Sequence, residues 1–159
     1  MNITPLRTDH IEEVRQLMEL GEPYISARTL SDYWLYAALF STTCPVAITT
    51  DRSIAGSVIA FRSQDGPHEI YIQDVMVHPD QRSRGIAKVL LQSVLRQAQQ
   101  WNCRRVCLTS DPENDAAHKT WAALGFENEP GDYEINGISV KADYKGPGRD
   151  RAVYALTLS

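Results

Sequence analysis

The stretch that most constrains this chain is residues 69–101, EIYIQDVMVHPDQRSRGIAKVLLQSVLRQAQQW, because its apolar spacing changes twice within it. Ile70 and Ile72 alternate as on one face of a strand, and Val75 and Val77 alternate in the opposite phase. One extra residue in the strand brings both pairs to the same face, so a β-bulge is expected at Gln73 and Asp74. From Gly85 the period becomes helical. Ala87, Leu90, Leu91, Val94, Ala98 and Trp101 recur by threes and fours, with Arg96, Gln97, Gln99 and Gln100 outward.

Strand and helix are joined by the basic run Arg82-Ser83-Arg84-Gly85-Ile86-Ala87-Lys88. Gly85 admits backbone angles closed to other residues and leaves room for a close ligand. The first amides of a helix lack internal partners and sit at the positive end of its dipole, so this order of elements makes a phosphate site. Arg82, Arg84 and Lys88 add charge.

A second block, Asn114-x-x-Ala117 and then Trp121-x-x-x-Gly125-Phe126, follows at a fixed distance. Together, Arg82-x-x-Gly85-x-Ala87 and this block resemble the acetyl-coenzyme A signature and the later motif of the GNAT superfamily of N-acetyltransferases, over residues 69–126. The resemblance implies an α+β fold: a mixed, mostly antiparallel sheet of about six or seven strands, helices on both faces, and bulged, splayed central strands. It also implies acetyl-coenzyme A as co-substrate, no metal, and attack by a primary amine of a small molecule or peptide in a ternary complex.

The same resemblance assigns roles to residues. Val75, Met76 and Val77 lie along the pantetheine arm, where one of their N–H groups polarises the thioester carbonyl. Arg82, Ser83, Arg84, Gly85, Ile86, Ala87 and Lys88 hold the pyrophosphate. Asn114 either bonds the coenzyme or caps its helix. Glu69 stands where some members place a catalytic carboxylate, and Asp74, at the bulge, is the second candidate base. Tyr71 and Gln73 are expected on the face of Glu69, along the cleft.

The chain departs from the family where a Tyr often protonates the leaving thiolate. Here Trp121 offers only an indole N–H. Tyr133 and Tyr144 are alternative acids, or water serves, since a thiol is a tolerable leaving group. The departure also admits a non-catalytic reading, an acyl-coenzyme A-binding sensor or assembly module. The glycine spacing does not fit a phosphate loop or a dinucleotide fingerprint.

At 159 residues, 43% of them hydrophobic and 23% charged, the chain suits one soluble domain over residues 1–159. A net charge of -4 argues against nonspecific nucleic-acid binding. Cys44, Cys103 and Cys107 lack zinc-ligand spacing and read as reduced thiols. No apolar stretch is long enough for a bilayer, and residues 1–16 lack a signal pattern, so the expectation is cytoplasmic, without membrane. A homodimer is compatible with the sequence.

Elsewhere, Ile3 and Leu6 open the sheet, and Thr8 or Asp9 caps a helix with Ile11, Val14, Leu17, Met18 and Leu20 at helical spacing. Residues 30–40 form a helix capped by Ser31 or Asp32, reading as core or as a wall of the acceptor pocket. Residues 46–50 and 54–62 pair across a polar turn. Residues 105–109 form a buried strand, and Ser110-x-x-Glu113 resembles a capping box. His118 reads as a surface or packing residue, and Cys107 as an unlikely nucleophile because no base adjoins it. A short strand over residues 138–142 and a last strand over residues 151–158 flank a loop at residues 145–150.

Overall fold

The computed structural model describes residues 1–159. In chain order the elements are β1 (Asn2–Pro5), α1 (Ile11–Glu19), α2 (Leu30–Leu39), β2 (Pro45–Ile48), β3 (Ile54–Arg62), β4 (Glu69–Val77) and α3 (Ile86–Gln100), then β5 (Arg105–Ser110), α4 (Asp115–Ala123), β6 (Glu127–Asn128), β7 (Tyr133–Ile135), β8 (Ile138–Val140) and β9 (Ala152–Thr157). Seven strands form one sheet in the order β1-β2-β3-β4-β5-β9-β6, and β7 and β8 form a separate hairpin. Every pair in the large sheet is antiparallel except β4 with β5. The expected mixed, mostly antiparallel sheet is therefore observed.

Each face of the sheet carries its own core. Against one face, α3 buries Leu90, Leu91, Val94 and Ala98 on Val58, Ile70, Ile72 and Leu108, joined by Trp121 and Phe126. Against the other, α1 and α2 bury Val14, Leu17, Met18 and Tyr33 on Val46, Ile59 and Met76. Each such side chain contributes about 1.5–3 kcal/mol of gross hydrophobic stabilisation.

The bulge in β4 lies where the apolar phase changes. Ile59 of β3 pairs with Asp74 and Ala60 with Ile72, which leaves Gln73 as the extra residue. The extra step lets Ile70 and Ile72, before the bulge, and Val75 and Val77, after it, pack against the same α3-side core. Met76 consequently faces α1 and α2.

Local capping differs from expectation at α1 and α2, and at α4 the capping reading of Asn114 holds while the Ser110 box does not form. In α1 no side chain caps the N-terminus, where a single 3-10 turn at Thr8–His10 leads in. In α2 the cap is Thr29, two or three residues before the expected position, and Asp32 completes a capping box as its third helical residue. In α4 the cap is Asn114, whose Oδ1 accepts from Ala117 N at 3.2 Å. Ser110 instead ends β5 and accepts from Trp121 Nε1 at 2.7 Å, so the expected capping box does not form. No helix is long and apolar enough to cross a membrane.

Candidate active site

The site begins where two central strands part. β4 and β5 pair from Glu69 with Arg105 to Ile72 with Leu108, and no further. Past the bulge, β4 stays on β3 while Thr109 and Ser110 of β5 pair only with β9. His78 N donates to Ala55 O of the β3 strand at 2.8 Å. Strand alternation then points the N–H groups of Val77 and Val75 away from β3, into the gap. A parallel partner that leaves after four residues thus exposes a row of strand donors.

At the mouth of the gap stands the N-terminus of α3. Gly85 is its N-cap at φ 75°, in the left-handed region, and no side chain caps the helix. A Cβ built on Gly85 meets nothing within 4 Å. The first amides of α3 therefore face open space with no protein acceptor, which is the geometry that takes a phosphate oxygen. A groove of about 580 Å³ runs from this turn along β4 to α4. It is lined by Val75, Met76, Val77, Arg82, Ser83, Gly85, Ile86, Ala87 and Asn114.

Two residues of the basic run lie outside the groove lining. Arg84 Nη1 donates to Gln81 Oε1 at 3.2 Å and lines a neighbouring depression with His78 and Asp80. Lys88 is exposed on the first turn of α3. The side chain of Ile86 is buried in the core, so what it offers a ligand is its backbone.

The groove opens into a polar cleft of about 390 Å³. The two share Tyr24, Ile25, Val75, Asn114, Ala117 and Trp121. Gly21 lets the loop carrying Tyr24 fold over them: an added Cβ there would come within 2.8 Å of Ile25 Cβ. Asp74 lines the cleft, is only 8% exposed, and has no hydrogen-bond partner for Oδ2 among the protein atoms. Burial pushes its carboxyl above the ordinary carboxylate range, while Arg28 and Lys145 pull it back in part.

The two candidate carboxylates are not brought together. Glu69 lies five residues up β4 from Asp74, roughly 16 Å at strand rise. Its Oε1 accepts from Arg105 Nη1 at 2.9 Å and from the Cys107 thiol at 2.8 Å. Arg105 in turn pairs with Glu129, and Lys141 reaches Glu129 at 2.8 Å, holding that carboxyl below its usual range. Glu69 is the end of a charge chain across β4, β5 and the β6–β7 connection. Between the two carboxylates, Gln73 Nε2 donates to Tyr36 of α2 at 3.2 Å and Tyr71 meets Lys145.

Neither tyrosine considered as an acid lines groove or cleft. Tyr133 bonds Asp150 at the surface, which pushes its phenol up to about 12, and Tyr144 lies under Lys141. The phenol that does line both spaces is Tyr24, from a loop with no motif to mark it. Trp121 keeps the motif position, its indole N–H spent on Ser110. His118 is buried packing: Nε2 donates to Pro112 O at 3.0 Å and Nδ1 meets Tyr154 Oη at 2.8 Å. A carboxylate does adjoin Cys107, contrary to expectation, since its thiol donates to Glu69, but burial and Glu69 push that thiol up to about 12, which disarms it as a nucleophile.

A seven-stranded sheet parted beside an uncapped helix defines the class, and comparison with known proteins agrees. The sequence profile of the Acetyltransferase (GNAT) family matches residues 11–126, so the chain belongs to that family. Aminoglycoside N(6')-acetyltransferase type 1 of Salmonella typhimurium is 35% identical over 63 residues, 40% of this chain and 43% of that protein. L-2,4-diaminobutyric acid acetyltransferase of Bordetella parapertussis is 25% identical over 126 residues, 79% of this chain and 67% of that one. The chain thus spans less than half the length of the aminoglycoside enzyme it matches. The diaminobutyrate acetyltransferase of Paenibacillus lautus, solved with L-2,4-diaminobutyric acid and coenzyme A, superposes with a TM-score of 0.80. At 20% identity, over 98% of this chain and 93% of that one, it shows a common fold. No group of three or more His, Cys, Asp or Glu is placed to hold a metal ion.

Proposed function

We propose that residues 1–159 act as one N-acetyltransferase domain that moves an acetyl group from acetyl-coenzyme A to a primary amine of a small molecule or peptide, by direct attack in a ternary complex. The observation that carries this reading is the continuity of the groove. An uncapped helix start at Gly85, free strand donors at Val75 and Val77, and a buried carboxylate at Asp74 line one connected space. Relatives named for acetylating an aminoglycoside and diaminobutyrate support an amine acceptor.

The coenzyme supplies a thioester whose carbonyl accepts the nitrogen. The chain's residues do the remaining work. Amides of the first turn of α3, with Arg82 and Ser83, hold the pyrophosphate, and a β4 N–H polarises the carbonyl where negative charge develops. An alkyl amine of pKa ~10.4 costs about 4–5 kcal/mol to deprotonate at pH 7, so a base helps. Asp74 takes that part: it is in the cleft, lacks a partner on Oδ2, and has a raised affinity for a proton. Glu69 is held in place by Arg105 and keeps the strand pair in register. The nitrogen bonds the carbonyl carbon, the carbon–sulfur bond breaks, and the departing thiolate takes a proton from the Tyr24 phenol or from water.

Three cysteines without disulfides, Cys44, Cys103 and Cys107, suit the reducing cytoplasm where we place the protein. Gly85→Glu tests the assignment, since it sets a bulky anion where the phosphate would lie. Coenzyme A binding by calorimetry is expected to disappear while the circular dichroism spectrum stays native. Unchanged affinity would remove the phosphate site from Gly85. Trp121 at the motif position favours the second reading, binding without turnover, and coenzyme A release with a panel of amines separates the two.

A further inference from the structure

The lining of the cleft has a charge pattern that the transfer of an acetyl group does not require. Arg28, Lys145, Arg149 and Arg151 line it, against two carboxylates, Asp74 and Asp111. None of those four cations takes part in any of the molecule's ion pairs, which use Arg7, Arg15, His78, Arg105 and Lys141. This positive cleft belongs to a chain of net charge -4, so it is not a reflection of overall composition.

The loop that brings three of these cations is built to present them. Asp143 and Asp150, the nearest acids in sequence, are spent on backbone amides: Asp143 Oδ1 accepts from Gly148 N at 2.7 Å, and Asp150 Oδ1 from Asp143 N at 2.8 Å. Tyr133 takes the other oxygen of Asp150. Lys145 is steered onto the phenol and ring face of Tyr71, and one N–H of Arg151 goes to the Asp150 carbonyl at 2.8 Å, leaving the rest of its guanidinium fork. The phosphates of the coenzyme do not account for these charges, because Arg82 and the start of α3 line the groove and not the cleft.

Resting on the acetyl-transfer reading, we propose that the acceptor is a small amine carrying its own carboxylate, an amino acid, with the reacting nitrogen at Asp74 and the carboxylate among Arg28, Lys145, Arg149 and Arg151. Opposite charges on one small molecule match one buried acid beside a cluster of unpaired bases. Arg forks suit a carboxylate in particular, since two parallel N–H groups meet its two oxygens. The volume of about 390 Å³ lies near the lower end of small-ligand sites, which span roughly 300–1,000 Å³, and fits a single amino acid. A polycationic acceptor would meet four like charges at the same wall.

Matched acceptors differing only in the carboxylate test this: ornithine against putrescine, lysine against cadaverine, and 2,4-diaminobutyrate against 1,3-diaminopropane. O-phosphoethanolamine against ethanolamine distinguishes phosphate from carboxylate. Each is measured for coenzyme A release from acetyl-coenzyme A, and for binding by calorimetry to the full chain with coenzyme A present. The acid member of at least one pair is expected to win by roughly tenfold or more in kcat/KM or affinity, the worth of a charge-assisted hydrogen bond. Arg149→Gln and Arg28→Gln should erase that preference without changing coenzyme affinity, and Arg149→Gln should leave the melting temperature unchanged. Equal or better handling of every decarboxylated member would overturn the proposal and leave acetyl transfer standing, and a preference confined to the phosphate pair would overturn the carboxylate assignment. Acid-selective binding without coenzyme A release would instead sink acetyl transfer and uphold the cleft.

Discussion

Replacing Asp74 by asparagine sets activity against stability. The side chain is 8% exposed and Oδ2 has no partner in the protein, so the amide fits the same space, losing the charge and exchanging one acceptor oxygen for an NH2 donor. Burial raises the folded-state pKa above the unfolded value near ~3.9, so the sign is worked from there. As pH climbs, the unfolded chain gives up this proton first. Stability then falls through the window between the two values and stays reduced above both. Asp74→Asn removes that term, so the variant should melt no lower than the parent at pH 7, and higher if Arg28 and Lys145 offset little of the burial. For catalysis the change deletes the general base, a loss of roughly 100- to 10,000-fold in kcat/KM. Coenzyme A release with an active acceptor and a melting curve on the same sample read both. An unaltered kcat/KM would refute the assignment of Asp74. A fall in kcat/KM accompanied by a lower melting temperature would make it a structural residue.

Tyr24→Phe is expected to lower kcat by roughly 100-fold or more, within the span of single acid catalysts, with coenzyme affinity intact; an unchanged kcat would leave the proton to water. Glu69→Gln should change kcat/KM less than twofold and stability by less than about 1 kcal/mol, because its pair with Arg105 is part-exposed, with 29% and 36% of the two side chains accessible. A large loss of activity with native melting would return Glu69 to the catalytic role. Trp121→Phe strands the buried Ser110 hydroxyl, costing about 1–3 kcal/mol by denaturant titration.

Short-range readings held wherever one residue type dictates the backbone. The apolar phase change at Gln73 and Asp74 is visible in the sequence because register errors flip side chains between faces, and the bulge lies there. Gly85 takes the left-handed angles that only glycine adopts freely. Caps were less legible. Thr29 wins over Ser31 and Asp32, and Asn114, one of the two caps the sequence offered for α4, wins over Ser110, because the helix start depends on where the preceding strand or loop releases the chain. The hairpin of β7 and β8 turns at Asn136 and Gly137, both at positive φ, a turn type that an Asn-Gly pair marks.

By itself the sequence determined the strand–loop–helix at residues 69–101, because it rests on periodicity and on glycine stereochemistry between near neighbours, and its motifs at residues 82–87 and 114–126 carried the resemblance that implied the layers and the family. Only the tertiary structure decided which groups meet in the cleft. Tyr24 and Arg28 arrive from the α1–α2 loop, Asp74 from β4, and Lys145, Arg149 and Arg151 from the loop before β9. Their encounter spans more than a hundred residues of chain, and no local spacing records it. It follows from β9 pairing with β5, which carries the basic loop to the open side of the parted strands.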